Sequence, residues 1–273
     1  VSGIPTDVDI RGKDDVSAFV PGIGVTFQAT DGLTLFAGAH RGFAPPRVKD
    51  AVSSNGVPVE LDAEFSWNYE AGVRYMARNG FNAEATYFVL DFGNQIIPAS
   101  QSGGATSTLI NAGETMHRGF ELQAGFDFGR MLNINHRITT DFRYSNLAVA
   151  QFENGIHSGN RLPYAPENLF SFIAGYRHSR GFGLQYDVSY VGSQFADNDE
   201  TIAPNANGEI GLIPSYTIHN ISLDYERKFE RFSITPFVTV KNFTDRVYIA
   251  SRAPQGIQPG MFRQANLGLR VRF

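Results

Sequence analysis

Six histidines, His40, His117, His136, His157, His178 and His219, are the side chains in this sequence best suited to hold a transition metal or pass a proton near neutral pH. Their spacing argues against both roles. They fall about one per segment, and no His-x-His or His-x3-His pair brings two rings to one face, so a metal site is not expected. The chain has no cysteine, hence no thiolate nucleophile and no disulfide framework. There is no Gly-x-Ser-x-Gly elbow and no phosphate-cradling glycine loop ending in Lys-Ser/Thr. Gly22-Ile-Gly24 reads as a pair of strand glycines, not a dinucleotide fingerprint. Carboxylates are plentiful, yet no two can be paired as acid and base from spacing alone. The chain is not expected to be an enzyme, and no cofactor is expected.

The polar residues follow a different rule. Between Phe65 and Ala77 every odd position is apolar or aromatic, while Glu64, Glu70, Arg74 and Arg78 fall on even positions. Such a period-2 run exceeds the usual soluble strand and suffices for a tilted bilayer crossing, which takes about 9 to 11 residues. Elsewhere the same alternation places Glu121, Gln123 and Asp127 on one face and Phe120, Leu122, Ala124 and Phe126 on the other. No stretch is long and apolar enough for a membrane helix, and hydropathy is blind to barrels. The aromatic content of 13%, with 28 glycines, suits strands and tight turns. The net charge of −4 excludes a nucleic-acid arm.

About eleven strands are expected, near 16–29, 33–43, 64–78, 81–93, 114–128, 132–145, 167–178, 181–194, 214–227, 231–243 and 261–273. Short connections at Thr30-Asp-Gly32, Asn79-Gly80, Gly129-Arg-Met131, Ser179-Arg180 and Lys228-Phe-Glu230 alternate with long ones at 44–63, 94–113, 146–166, 195–213 and 244–260. Outer-membrane barrels pair short periplasmic turns with long extracellular loops. The fold class is therefore all-β, a transmembrane antiparallel β-barrel. The last strand alternates Leu267, Leu269, Val271 and Phe273 against Asn266, Gly268, Arg270 and Arg272. With Phe273 at the periplasmic side, alternation starts the first strand outside the cell, and about eleven is an odd count where bacterial barrels have even ones. Residues 1–15 are expected to end an extracellular loop, with 16–273 the C-terminal part of a larger barrel.

Several motifs point the same way. Asn242-Phe-Thr-Asp-Arg-Val-Tyr248 resembles the Asn-Leu-Phe-Asp-x-x-Tyr element of TonB-dependent outer-membrane receptors, and Pro259-Gly260-Met-Phe-Arg263 resembles their Pro-Gly-x-x-Arg element. Asn111-Ala-Gly…Gly119-Phe-Glu121, Leu162-Pro-Tyr-Ala-Pro166, Arg41-Gly-Phe-Ala-Pro-Pro-Arg47 and Asp91-Phe-Gly-Asn-Gln-Ile96 are similar to further elements of that family. The resemblance covers roughly 16–273 and leans toward the ferric citrate branch. It implies half of a barrel of about 22 strands, whose plug domain and first half lie elsewhere. It further implies a bacterial outer-membrane location and uptake of a ferric chelate, a siderophore or ferric citrate, driven by the TonB system through the plug. Such a chelate is anionic, and arginine forks grip carboxylates in two-pronged fashion. Arg47, Gln101, Arg161, Arg252 and Gln255, in or beside the long loops, are the expected ligand-binding residues. Gly268, Val271 and Phe273 resemble the C-terminal signal read by the barrel assembly machinery, and outer-membrane lipid is the remaining expected partner. The competing reading is a passive porin or structural barrel of about 12 strands, which requires these residues to close a barrel by themselves. An outer-membrane hydrolase would need a rim site for which no motif exists.

Overall fold

A computed structural model describes residues 17–45, 63–98, 109–111, 113–253 and 256–273. Arg47, Gln101 and Gln255 lie outside the described residues, as does the segment 1–15. Eleven long strands among the described residues form the wall: β1 (Gly22–Gln28), β2 (Leu33–Ala44), β3 (Glu64–Met76), β4 (Phe81–Gly93), β5 (Thr115–Asp127), β6 (Arg137–Phe152), β7 (Asn168–Arg177), β8 (Phe182–Val191), β9 (Tyr216–Tyr225), β10 (Ser233–Lys241) and β11 (Gln264–Arg272). Each pairs antiparallel with its neighbour in sequence, so the wall is one meander.

Register turns the sequence alternation into two surfaces. One row reads Leu35, Val73, Ala85, Leu122, Tyr144, Phe170 and Tyr190 across seven strands. One residue along, the row on the opposite face reads Thr34, Arg74, Glu84, Gln123, Arg143, Ser171 and Ser189. A slip by one residue would exchange the faces, so the pattern locks the pairing. The apolar face is uncovered: Ile23, Leu267 and Leu269 are 76%, 84% and 62% exposed. A soluble sandwich buries such a face, whereas a bilayer covers it. Aromatics collect near the ends of the outer face. Trp67 stacks on Tyr69 near the long-loop end, and Tyr75, Phe81 and Phe126 pack in series beside the short turns.

The buried apolar residues lie at the long-loop end. Ala150 and Phe152 end β6, while Leu162, Ala196 and Ile213 belong to the loops that follow. The wall is one layer thick, so apolar side chains are enclosed where loops fold over its rim.

Several boundaries differ from the sequence expectation. β1 starts at Gly22, not near 16, because Pro21 has no N–H to return to the ladder, although its carbonyl still accepts from Arg41 N–H at 2.8 Å. The connection before β6 is longer than Gly129-Arg-Met131. Phe128–Met131 form a single helical turn, capped by Asp127 Oδ1 accepting from Arg130 N–H at 3.0 Å, and β6 begins only at Arg137. That strand then runs to Phe152, well past 145, through a bulge opposite Gly119 where the register shifts between Arg118 and Phe120. A Cβ on Gly119 would overlap the Asn146 carbonyl, so only glycine allows this close approach. Short and long connections alternate as expected.

The wall is open. Among the described residues β1 pairs only with β2, and β11 pairs only with β10. A self-contained barrel of about 12 strands needs those edges joined, and they are not.

Candidate ligand-binding surface

Three long loops are tied into one block above the wall. Arg161, between β6 and β7, donates from Nε to Ala165 O at 2.7 Å and from Nη2 to Leu147 O at 2.6 Å, and Nη1 lies 3.5 Å from Ala148 O. Leu147 and Ala148 are the residues at the β6 bulge, where carbonyls lose their ladder partners; Arg161 satisfies them. Burial lowers the pKa of this guanidinium from its ordinary value, while Glu167 and Glu200 pull it back up. Its backbone N–H donates to Glu200 Oε1 at 2.6 Å, which fastens the loop between β8 and β9 to the one before it.

Arg252 does the same work between the last two loops. It lies on the hairpin Ile249–Ala253/Gly256–Pro259 and is 6% exposed. Nη1 donates to Gly208 O at 2.9 Å and Nη2 to Leu212 O at 3.4 Å. Tyr164 O–H donates to the Arg252 carbonyl and accepts from its N–H at 3.2 Å. Burial raises the Tyr164 pKa above its usual value. Tyr164 N–H also donates to Phe195 O at 2.9 Å, so this tyrosine joins all three loops. Asp197, 1% exposed, accepts from Asp199 N, Thr201 N and Thr201 Oγ1 at 3.0, 3.1 and 2.9 Å, folding the β8–β9 loop on itself.

Asn242 anchors the last loop to the wall. At φ 47° and 1% exposed, it donates from Nδ2 to Arg246 O and Met261 O at 2.9 and 2.8 Å, and accepts Arg246 N–H at 2.9 Å. Its own N–H donates to Asn220 Oδ1 at 2.8 Å, and Asn220 Nδ2 donates to Asp187 Oδ2 at 2.5 Å on the inner face. Gly260 lies against the Tyr248 ring, where a Cβ would overlap it, and Tyr248 packs on Tyr216 at 4.2 Å between centroids. The two motifs near 242–248 and 259–263 are thus halves of one packing unit.

Below the block, the inner face carries paired charges. Arg74 is bound to Glu84, and Arg177 forks onto Asp224, with Nη2 3.0 Å from Oδ1. A hollow of about 430 Å³ lies where wall and loops meet, lined by Phe88, Gln95, His117, Ser145, Leu147 and the Leu162–Pro166 segment. A second, of about 470 Å³, lies on the inner wall beside Glu84, Glu121, Gln123 and Arg143. Gly268 makes room for the Phe237 ring on the inner face, Val271 lies opposite Ile234, and Phe273 is fully exposed beyond the last strand.

Of the expected ligand-binding residues, the structure describes Arg161 and Arg252, in the first and last of the three loops of the block; Arg161 and the two Nη groups of Arg252 donate to backbone carbonyls, while Arg252 Nε is buried without a partner. Sequence reading missed Tyr164 and Asn242. Asn242 carried a signal, because a motif residue that favours the left-handed region is a candidate turn anchor. Tyr164 carried none beyond its place in the Leu-Pro-x-x-Pro segment.

The model of the family described as TonB dependent receptor-like, beta-barrel matches residues 3–243. The metal-pseudopaline receptor CntO of Pseudomonas aeruginosa (strain UCBPP-PA14) is 27% identical over 274 residues, which cover 97% of this chain and 35% of that receptor. The ferrioxamine receptor of Yersinia enterocolitica is 25% identical over 232 residues, covering 82% of this chain and 29% of the receptor. Unliganded ferric citrate transporter FecA superposes with a TM-score of 0.74 at 25% identity, over 93% of this chain and 38% of that one. The ferric yersiniabactin uptake receptor FyuA of Yersinia pestis shares the fold, with a TM-score of 0.66 at 22% identity over 92% of this chain and 36% of that one. The chain spans about a third of the length of the curated relatives it matches. With an open meander of alternating strands, long loops gathered at one end and a family match over most of its length, the chain belongs to the TonB-dependent receptor β-barrels of the bacterial outer membrane.

Proposed function

We propose that this chain is the C-terminal barrel portion of a receptor that imports a ferric chelate, a siderophore or ferric citrate. Residues 16–273 would build wall and loops, and 1–15 would end an extracellular loop. A plug and further strands would complete the pore, and the plug would couple it to the TonB system. The carrying observation is the loop block held over a polar inner wall, with a hollow of about 430 Å³ between them. The free edges of β1 and β11 favour pairing with further strands over the porin reading. Arg47, Gln101 and Gln255 remain the proposed cargo contacts; Arg161 and Arg252 shape the block from which contacts would be made.

The complete receptor, expressed in cells lacking their own ferric-chelate receptors, is expected to support TonB-dependent accumulation of iron supplied as ferric citrate or as a ferric siderophore. Surface-located receptor that moves none of these chelates would overturn the proposal. Passage that persists without TonB would favour the porin.

Recognition by the barrel assembly machinery is proposed for Gly268, Val271 and Phe273. Deleting Phe273 from the complete receptor is expected to remove most of its heat-modifiable form from the outer membrane. Gly268→Ala supplies the contrast: its Cβ would meet the Phe237 ring, so it tests packing instead of the terminal aromatic. Normal assembly of the Phe273 deletion would reject the signal.

A further inference from the structure

The short-turn end of the wall, opposite the loop block, carries a cluster of two imidazoles and a phenol beside an exposed arginine. His136 precedes β6 and His178 follows β7. Their ring centroids lie 4.6 Å apart, and both rings contact Tyr176, at 5.9 and 6.3 Å. Tyr176 sits opposite Ile138 and Leu184 on the outer, apolar face, so the cluster faces the bilayer side. His178 Nδ1 accepts the Arg180 N–H at 3.0 Å, which puts the proton of the neutral ring on Nε2, its far nitrogen. The Tyr176 hydroxyl lies 3.3 Å from His136 Nδ1. Among the described residues no carboxylate pairs with either histidine or with Arg180, so the site offers donors and positive charge without an internal anion.

We propose that His136, His178 and Arg180 bind the phosphate of an anionic phospholipid in the leaflet at the short-turn end. The surroundings fit a two-part ligand. Leu132 and Ile134, before His136, are 66% and 41% exposed, and Phe182 beside the other turn is 41% exposed. They belong to the same two turns as the rings and Arg180, and would offer apolar surface to the acyl chains of a lipid whose headgroup met those polar groups. Interfacial aromatic and cationic side chains partition in this way, and a guanidinium binds a phosphate diester by charge-assisted hydrogen bonds. A soluble anion would use only the polar half. The inference rests on the membrane location and not on which cargo the receptor carries.

The complete receptor, purified in mild detergent with phosphatidylglycerol, is examined by native mass spectrometry for retained lipid. The wild type is expected to hold phosphatidylglycerol through delipidation, and Arg180→Ala to hold about fivefold less. The pair His136→Ala/His178→Ala is expected to lose at least as much, and millimolar inorganic phosphate to displace none. Retention equal to wild type in Arg180→Ala, whose side chain lies in an exposed turn outside the strands, overturns the proposal even if the histidine pair fails to fold. Displacement by inorganic phosphate overturns it in favour of a soluble-anion site.

Discussion

Asn242→Ala is expected to destabilise the complete receptor by about 3 kcal/mol, because three side-chain hydrogen bonds vanish and part-buried backbone groups lose their partners. Arg246 N, Arg246 O and Met261 O would all be orphaned in a place that is 1% exposed for Asn242 itself. Alanine would also have to adopt φ 47°, which costs an L-residue without a local side-chain bond about 1 kcal/mol more. Asn242→Gly separates these effects, since glycine accepts the backbone angle but restores no bond, and should recover only the smaller part. The check is the unfolding midpoint of the folded receptor in denaturant. A midpoint within error of wild type for Asn242→Ala would mean that the last loop does not depend on this anchor.

Most of the wall was legible because a strand with one face in lipid and one in water has to write that difference into every second residue. The row Leu35, Val73, Ala85, Leu122 could be placed from alternation alone, since a one-residue slip would expose Arg74 and Glu84 to hydrocarbon. Turn chemistry did the rest at Asn79-Gly80, where Gly80 takes φ 96°. Ends were less legible. Asp127 as a helix cap and Gly119 as the partner of a bulge depend on which carbonyl approaches from the next strand, and alternation is silent about that. The loop arginines were the least legible of all. A guanidinium turned toward an anionic ligand and one turned toward freed backbone carbonyls look alike in sequence. The partners that decide, Leu147 for Arg161 and Gly208 for Arg252, lie 14 and 44 residues away. The family motifs show the same limit: Asn242 and Gly260 were recognisable as a pattern, but the reason for the pattern is a hydrogen-bond anchor and a ring seated on a glycine.

Arg252→Ala is expected to unseat the hairpin from the β8–β9 loop and to weaken chelate binding without Arg252 touching the chelate. Its guanidinium links Gly208 and Leu212 to the hairpin, and the Tyr164 hydroxyl clamps its backbone. Losing a charged donor to buried carbonyls costs about 2 to 3 kcal/mol. Where the loop opens locally, that cost raises its opening constant by about one and a half to two decades, at roughly 1.4 kcal/mol per decade. Hydrogen exchange of residues 195–213 in the receptor without ligand is therefore expected to quicken by about 30- to 150-fold. Arg252→Lys should fall between, because one ammonium cannot serve both carbonyls as a planar fork does. Tyr164→Phe removes only the hydroxyl and should cost about 1 kcal/mol. Combined with Arg252→Ala it should cost less than the sum, since both act on the same clamp. The measurement discriminates between two roles that affinity alone would confuse. Exchange unchanged before ligand is added, together with a large loss of affinity, would make Arg252 a direct grip on the chelate; early loosening of 195–213 makes it the pin that holds the binding loops in place.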